Sequence, residues 1–201
     1  MDRRTAIQRV SLILGGTVVG AQAFLSGCAT NPTTESIGPF SGEMIALLDE
    51  IADTILPDSP GVPGAKAAQV GPFMAMMVTD CYLEKERQTF LEGLRTFQAK
   101  LKEQGTPFLE MMPEQRTQFL NELDEEARVA NRSIKEQRQA YAKDRTLNPP
   151  IPHYFSMMKQ LTILGYFTSE IGATQALRYV ESPGGFDPCA PYEVGDRGWA
   201  T

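Results

Sequence analysis

The residues whose types and spacing point most directly to chemistry lie near the N-terminus. There Leu25-Ser26-Gly27-Cys28 closes a segment that begins Met1-Asp2-Arg3-Arg4. A cysteine behind small residues, at the end of an apolar run, has the layout of a lipobox, in which the signal is cleaved ahead of Cys28 and the new N-terminus is acylated. Arg3 and Arg4 resemble the pair of a twin-arginine signal, which exports proteins already folded. The run from Val10 to Gly27 is shorter than the ~20 mostly apolar residues of a spanning helix and contains Gly15, Gly16 and Gly20. Residues 1–27 therefore read as an export signal, and Cys28 as the lipid anchor of a bacterial, periplasm-facing membrane lipoprotein.

The other reactive side chains are few. With Cys28 acylated, Cys81 and Cys189 remain, and in an oxidising compartment the simplest use of such a pair is a disulfide. It would close a loop of about 108 residues and contribute ~4–5 kcal/mol in the chain-entropy picture. His153 is the only histidine, and neither cysteine has a neighbour at metal-ligand spacing, so no zinc or haem site is expected. Asp49, Glu50 and Asp53 fall on what reads as the polar side of a first helix, and Asp124-Glu125-Glu126 is a run of solvated like charge. Met74, Met76 and Met77 suit adaptable core. No nucleophile sits beside a base and no phosphate-binding glycine loop follows a strand. Catalytic, cofactor-binding and metal residues are all expected to be absent from this chain.

The whole chain has 19 basic and 25 acidic side chains; residues 1–27 remove three Arg and one Asp, leaving 16 against 24. An acidic balance of this size argues against nucleic acid and against adsorption to anionic lipid, so attachment to a membrane would be covalent.

Positioning falls to helices. Residues 28–40, rich in Thr, Pro and Asn, read as a tether, and residues 41–201 as a single irregular all-α domain with a C-terminal coil. Ser41 is an N-cap, and Met44, Leu47, Leu48, Ile51 and Ile55 follow at spacings of three and four. Pro57 ends that helix, and residues 58–64, Asp-Ser-Pro-Gly-Val-Pro-Gly, form a turn-rich loop. Helical pattern returns from about Ala65 and again from Pro72. A long helix over 83–104 carries Phe90, Leu94, Phe97 and Leu101, with Gly105 as its C-cap. Pro113 suits a first helical position ahead of Phe119, Leu120 and Leu123. Residues 124–143 read as one polar helix with a thin apolar line, a candidate partner surface. After the Pro-rich 148–152 a last helical region spans 153–179, with Gly165 and Gly172 as points where it bends or divides. No segment alternates long enough to be a strand.

Two stretches resemble a known family. Ile55-Leu56-Pro57-Asp58-Ser59-Pro60-Gly61-Val62-Pro63-Gly64-Ala65 is similar to the loop after the first helix in the small (gamma) subunits of gluconate 2-dehydrogenase, subunit 3. Leu161-Thr162-Ile163-Leu164-Gly165-Tyr166-Phe167-Thr168-Ser169-Glu170-Ile171-Gly172 resembles that family's most recognisable block, followed by Ser182 to Cys189 in the family's order. The resemblance implies a non-catalytic subunit partnering a large FAD-containing dehydrogenase of the glucose-methanol-choline type, often with a cytochrome c. It implies that the signal carries the folded flavoprotein across the membrane. A lipobox departs from many members and points to a permanent anchor. Ala29 in place of Asp favours the outer membrane.

The partner surface is expected at Tyr166, Phe167 and Glu170 of that block and at Phe186, Tyr192, Arg197 and Trp199 of the coil, since Trp, Tyr and Arg dominate interface hot spots. The coil's aromatics either face the partner or pack back over the helices. A free-standing lipoprotein that binds or scaffolds something else is the alternative function.

Overall fold

Ser41 opens the first helix of the computed structural model, which describes residues 36–182, 184–185, 189, 191 and 193–200. Its hydroxyl accepts from the Met44 amide at 3.3 Å, and helix α1 then runs Gly42–Ile55. Helix α2 is Val70–Asp80 and α3 Glu84–Gln104. A 3₁₀ turn at Phe108–Glu110 leads to α4, Pro113–Ala130, and α5, Arg132–Lys143. Helix α6 is Tyr154–Thr168, and a π-turn at Gly172–Ala176 ends the helical part. Two residue pairs then form a parallel pairing, β1 (Arg178–Tyr179) against β2 (Trp199–Ala200). The all-α reading holds, with this small ribbon as an addition that a two-residue strand gives no period to reveal.

The described part of the chain starts at Ser36. Residues 36–40, expected to be tether, form a tight antiparallel bridge between Ile37 and Phe40, and Phe40 is fully buried against Phe90 at 6.1 Å between ring centroids. A polar, Pro-containing run hid that one apolar anchor.

The core is one cluster. Leu48 and Ile51 of α1, Met74 and Val78 of α2, Phe90, Leu94 and Phe97 of α3 and Leu123 of α4 meet Phe155 and Met158 of α6. Phe97 packs edge-on against Phe108 at 5.5 Å and Phe119 at 5.2 Å, a favourable ring geometry. Gly105 caps α3 at φ +78°, in the left-handed region where it carries no Cβ penalty.

Glycines also set the closest helix approaches. A Cβ on Gly71 would sit 2.6 Å from the Ile45 carbonyl of α1. One on Gly165 would sit 2.5 Å from the Phe73 ring of α2, and one on Gly93 would overlap Tyr154 of α6.

The polar helix expected over 124–143 is divided at Asn131, which ends α4 and starts α5. Tertiary bonds make the break: Asn131 Oδ1 accepts from the His153 amide at 2.9 Å and Nδ2 donates to Ser156 Oγ at 2.8 Å. No residue of α5 is buried. Among the described residues no helix is long and apolar enough to cross a membrane.

Candidate functional site

The loop after α1 folds on itself before it meets anything else. Ser59 and Val62 exchange backbone hydrogen bonds at 2.9 Å, the Gly64 amide donates to Asp58 Oδ1 at 2.5 Å, and the Ala65 amide donates to the Leu56 carbonyl at 2.9 Å. A Cβ on Gly64 would meet the Asp58 amide and the Leu56 carbonyl, each at 2.7 Å, so the closed loop requires glycine there.

This loop is fastened to the end of α6. Tyr166 Oη donates to the Pro63 carbonyl at 2.6 Å across 103 residues of sequence. The Tyr166 ring is buried, and burial followed by the nearby Asp58 charge pushes its hydroxyl above the ordinary tyrosine range, keeping it a donor. Phe167 stacks edge-on against it at 5.1 Å and is 37% exposed. Ser169 Oγ donates to the Tyr166 carbonyl and accepts from the Gly172 amide, turning the chain out of α6. Glu170 is exposed. Of the expected interface residues in this block, Phe167 and Glu170 face outward, whereas Tyr166 points in and holds the loop. Tyr166→Phe should cost about 1 kcal/mol, the usual net worth of a hydrogen bond. It should raise proteolytic cleavage within 58–63, and unchanged cleavage would mean that the loop holds itself.

The C-terminal coil folds back on the π-turn. Arg178 donates its amide to the Gly198 carbonyl at 2.7 Å, pairs with Asp196 at 2.6 Å and lies over the Trp199 ring at 5.2 Å. The Arg197 guanidinium donates to the Gln175 carbonyl at 2.6 Å. Arg197 is thus committed to the chain's own backbone, while Trp199 stays 67% exposed. Between the two expected arrangements, the coil does both: its backbone returns to the domain and its indole faces out. Phe186 and Tyr192 lie outside the described residues, as do Arg3, Arg4 and Cys28.

The bridge expected between Cys81 and Cys189 is not formed here: both residues are exposed, Cys81 caps the end of α2, and no disulfide joins them. A cysteine count gives parity, but a bond also needs Cα atoms within ~7 Å and aligned Cβ vectors.

Two carboxylates expected on a polar face are buried. Asp49 and Glu50 are each 8% exposed. Asp49 Oδ1 accepts from the Gly71 amide at 2.6 Å where α1 and α2 touch; burial raises its pKa more than that bond lowers it. Burial would raise Glu50 as well, but Lys66 at 2.7 Å and an Arg116 ion pair outweigh it and hold the carboxyl below its ordinary range. Arg116 also donates to the Phe108 and Leu109 carbonyls at 2.9 and 2.7 Å and lies over the Phe108 ring. Sequence reasoning missed Arg116. Its place three and four residues before Phe119 and Leu120, hence on the apolar side of α4, was the available signal.

His153 caps α6, its Nδ1 accepting from the Phe155 amide at 3.3 Å. Burial, against a smaller opposing pull from Glu126, lowers its pKa, which keeps Nδ1 unprotonated as that role requires. Every buried charge near a helix junction thus has a structural use, and among the described residues no group of three metal-ligating side chains gathers.

No curated protein and no solved structure matches this chain. The family model of gluconate 2-dehydrogenase subunit 3 matches residues 43–184, from the start of α1 through the π-turn and the Pro63–Tyr166 fastening. The chain belongs to the gluconate 2-dehydrogenase subunit 3 family.

Proposed function

We propose that this chain is the accessory subunit of a dehydrogenase complex in which a larger subunit carries FAD and oxidises a sugar or sugar acid. In this reading the flavoprotein is of the glucose-methanol-choline type, crosses the membrane with this chain's twin-arginine signal, and is held at the periplasm-facing surface by lipid on Cys28. A cytochrome c would accept its electrons. The observation that carries the reading is the Tyr166–Pro63 hydrogen bond. It joins the two stretches that resemble the family into one surface, with Phe167 and Glu170 exposed beside it. A surface that is built and then left outward suits a subunit whose work is to hold another protein.

A tag on this chain should bring down a yellow protein with dehydrogenase activity on a sugar or sugar acid. Recovery of a colourless monomer from cells that express the neighbouring genes would favour the free-standing lipoprotein instead. Cys28→Ser should shift the complex to the soluble fraction or leave an unprocessed precursor, since acyl chains at ~0.8 kcal/mol per buried CH₂ supply the attachment. An acylated, membrane-bound Cys28→Ser product would refute the anchor while leaving the subunit reading intact. Ala29 after Cys28 directs the anchored protein to the outer membrane in this scheme.

A further inference from the structure

We propose that α5 is the docking face for an acidic segment of the dehydrogenase subunit, which lies along Lys135 and Arg138 with side chains seated in the two grooves that Arg138 borders. The inference rests on the accessory-subunit reading and adds a second surface to the one formed by the loop and α6.

The first observation is a local inversion of charge. The chain carries a net charge of −6, yet residues 132–145 hold Arg132, Lys135, Arg138, Lys143 and Arg145 against Glu136 and Asp144. The second is that Lys135, Arg138 and Lys143 are unspent. On the neighbouring helices Lys100 pairs with Glu126, Arg128 with Glu125 and Lys159 with Asp124. Lys135, Arg138 and Lys143 have no hydrogen bond or ion pair through their side chains among the described residues, and Arg145 only lies over the Tyr141 ring.

The third is the helix itself. Twelve residues with none buried make a helix that is marginal alone, because helices below ~12–15 residues rarely persist in water without a packed face. The domain nevertheless fixes its direction. The Asn131 elbow is bonded to His153 and Ser156, so α5 leaves α4 at a set angle.

The fourth is shape. A groove of about 460 Å³ runs between α5 and the start of α6, bordered by Ile134, Arg138, Ala142, Pro152 and Gln160. A second, of about 270 Å³, adjoins it at Arg138, Pro152 and Gln160 and opens toward Met77, Tyr82, Glu86 and Leu164. Arg138 borders both. A guanidinium between two partly apolar grooves fits a carboxylate flanked by apolar side chains, which it can hold by a two-point hydrogen bond. A bilayer surface does not fill grooves, and α5 presents no Trp, Phe or Leu to enter one. A second copy of this chain could offer α4, but Asp124, Glu125 and Glu126 there are already paired with Lys159, Arg128 and Lys100.

The test is capture of the flavoprotein by tagged full-length chain at about 0.15 M salt and above. Lys135→Glu with Arg138→Glu should weaken capture by about tenfold or more, since like charges set face to face are strongly unfavourable. Lys135→Gln with Arg138→Gln should weaken it less and flatten its dependence on salt. Lys85→Glu with Lys102→Glu, the same charge change on α3, should leave capture unchanged, and circular dichroism should show all three variants folded. Equal capture by the Lys135→Glu, Arg138→Glu variant would overturn the docking face while the subunit reading stands. So would loss of binding to phosphatidylserine vesicles, or of concentration-dependent self-association, with capture intact. If the wild-type chain captures no flavoprotein, the subunit reading fails and this inference falls with it.

Discussion

Arg116→Ala should lower the stability of the domain by about 3–5 kcal/mol, the typical cost of removing one partner of a buried ion pair. Glu50 would then stay buried with Lys66 alone, and the Phe108 and Leu109 carbonyls would lose their donor. For a domain of this size the melting temperature should fall by on the order of 10 °C. The pH dependence separates this cause from simple loss of packing. In the wild type Glu50 is held low, so its contribution is present above the ordinary glutamate range and is lost as pH falls through its depressed value. Asp49 and Asp53 are held high, chiefly by burial, so their protonation on folding works the other way and partly offsets that loss. In Arg116→Ala the two Arg116 contributions that lower Glu50 vanish while Lys66 and burial remain, so its folded pKa rises relative to the wild type and the variant should lose less stability on acidification than the wild type does. Thermal melts from neutral to acidic pH check this; a variant whose stability falls with acidification as steeply as the wild type's would show that Arg116 acts through packing.

Gly93→Ala is expected to cost about 3 kcal/mol, at the upper end for overpacking. The added methyl would overlap both Cβ and Cγ of Tyr154, so no rotamer of the tyrosine escapes it and α3 must move away from α6. Tyr154 is 6% exposed, and its hydroxyl, pushed up to about 12 by burial and then by Glu126, has no hydrogen-bond partner among the described residues. The ring is therefore retained for its fit against Gly93, where the two helices touch. Denaturant unfolding should show a lower midpoint with an unchanged slope. Wild-type stability in Gly93→Ala would mean that the helices separate at no cost.

The helical plan was legible because it depends on local spacing. Phe90, Leu94, Phe97 and Leu101 recur at three and four, Gly105 and Pro113 mark an end and a start, and each appears where the pattern puts it. What escaped is decided by partners distant in sequence. Asn131 divides two good helix-forming runs because His153 and Ser156 bond to it, and nothing within 124–143 announces that. Asp49 and Glu50 read as polar surface because their partners lie elsewhere in the chain, the Gly71 amide for Asp49 and, 16 and 66 residues away, Lys66 and Arg116 for Glu50. The family block was readable as a motif, yet Tyr166 was assigned outward. Its hydroxyl target is the carbonyl of Pro63, and a backbone carbonyl has no sequence signature.

The fastening of Pro63 by Tyr166 has a consequence in time. Loop and anchor are 103 residues apart, and the loop is synthesised long before the anchor. While the chain is being made, the Pro-Gly loop can close its own turn but cannot be secured, and closing so long an interval carries an entropic cost that only the docked helix repays. The joined surface therefore arises at the end of synthesis, in chains that have completed α6. Any protein that recognises loop and helix together is thereby matched to finished copies and passes over truncated or still-growing ones.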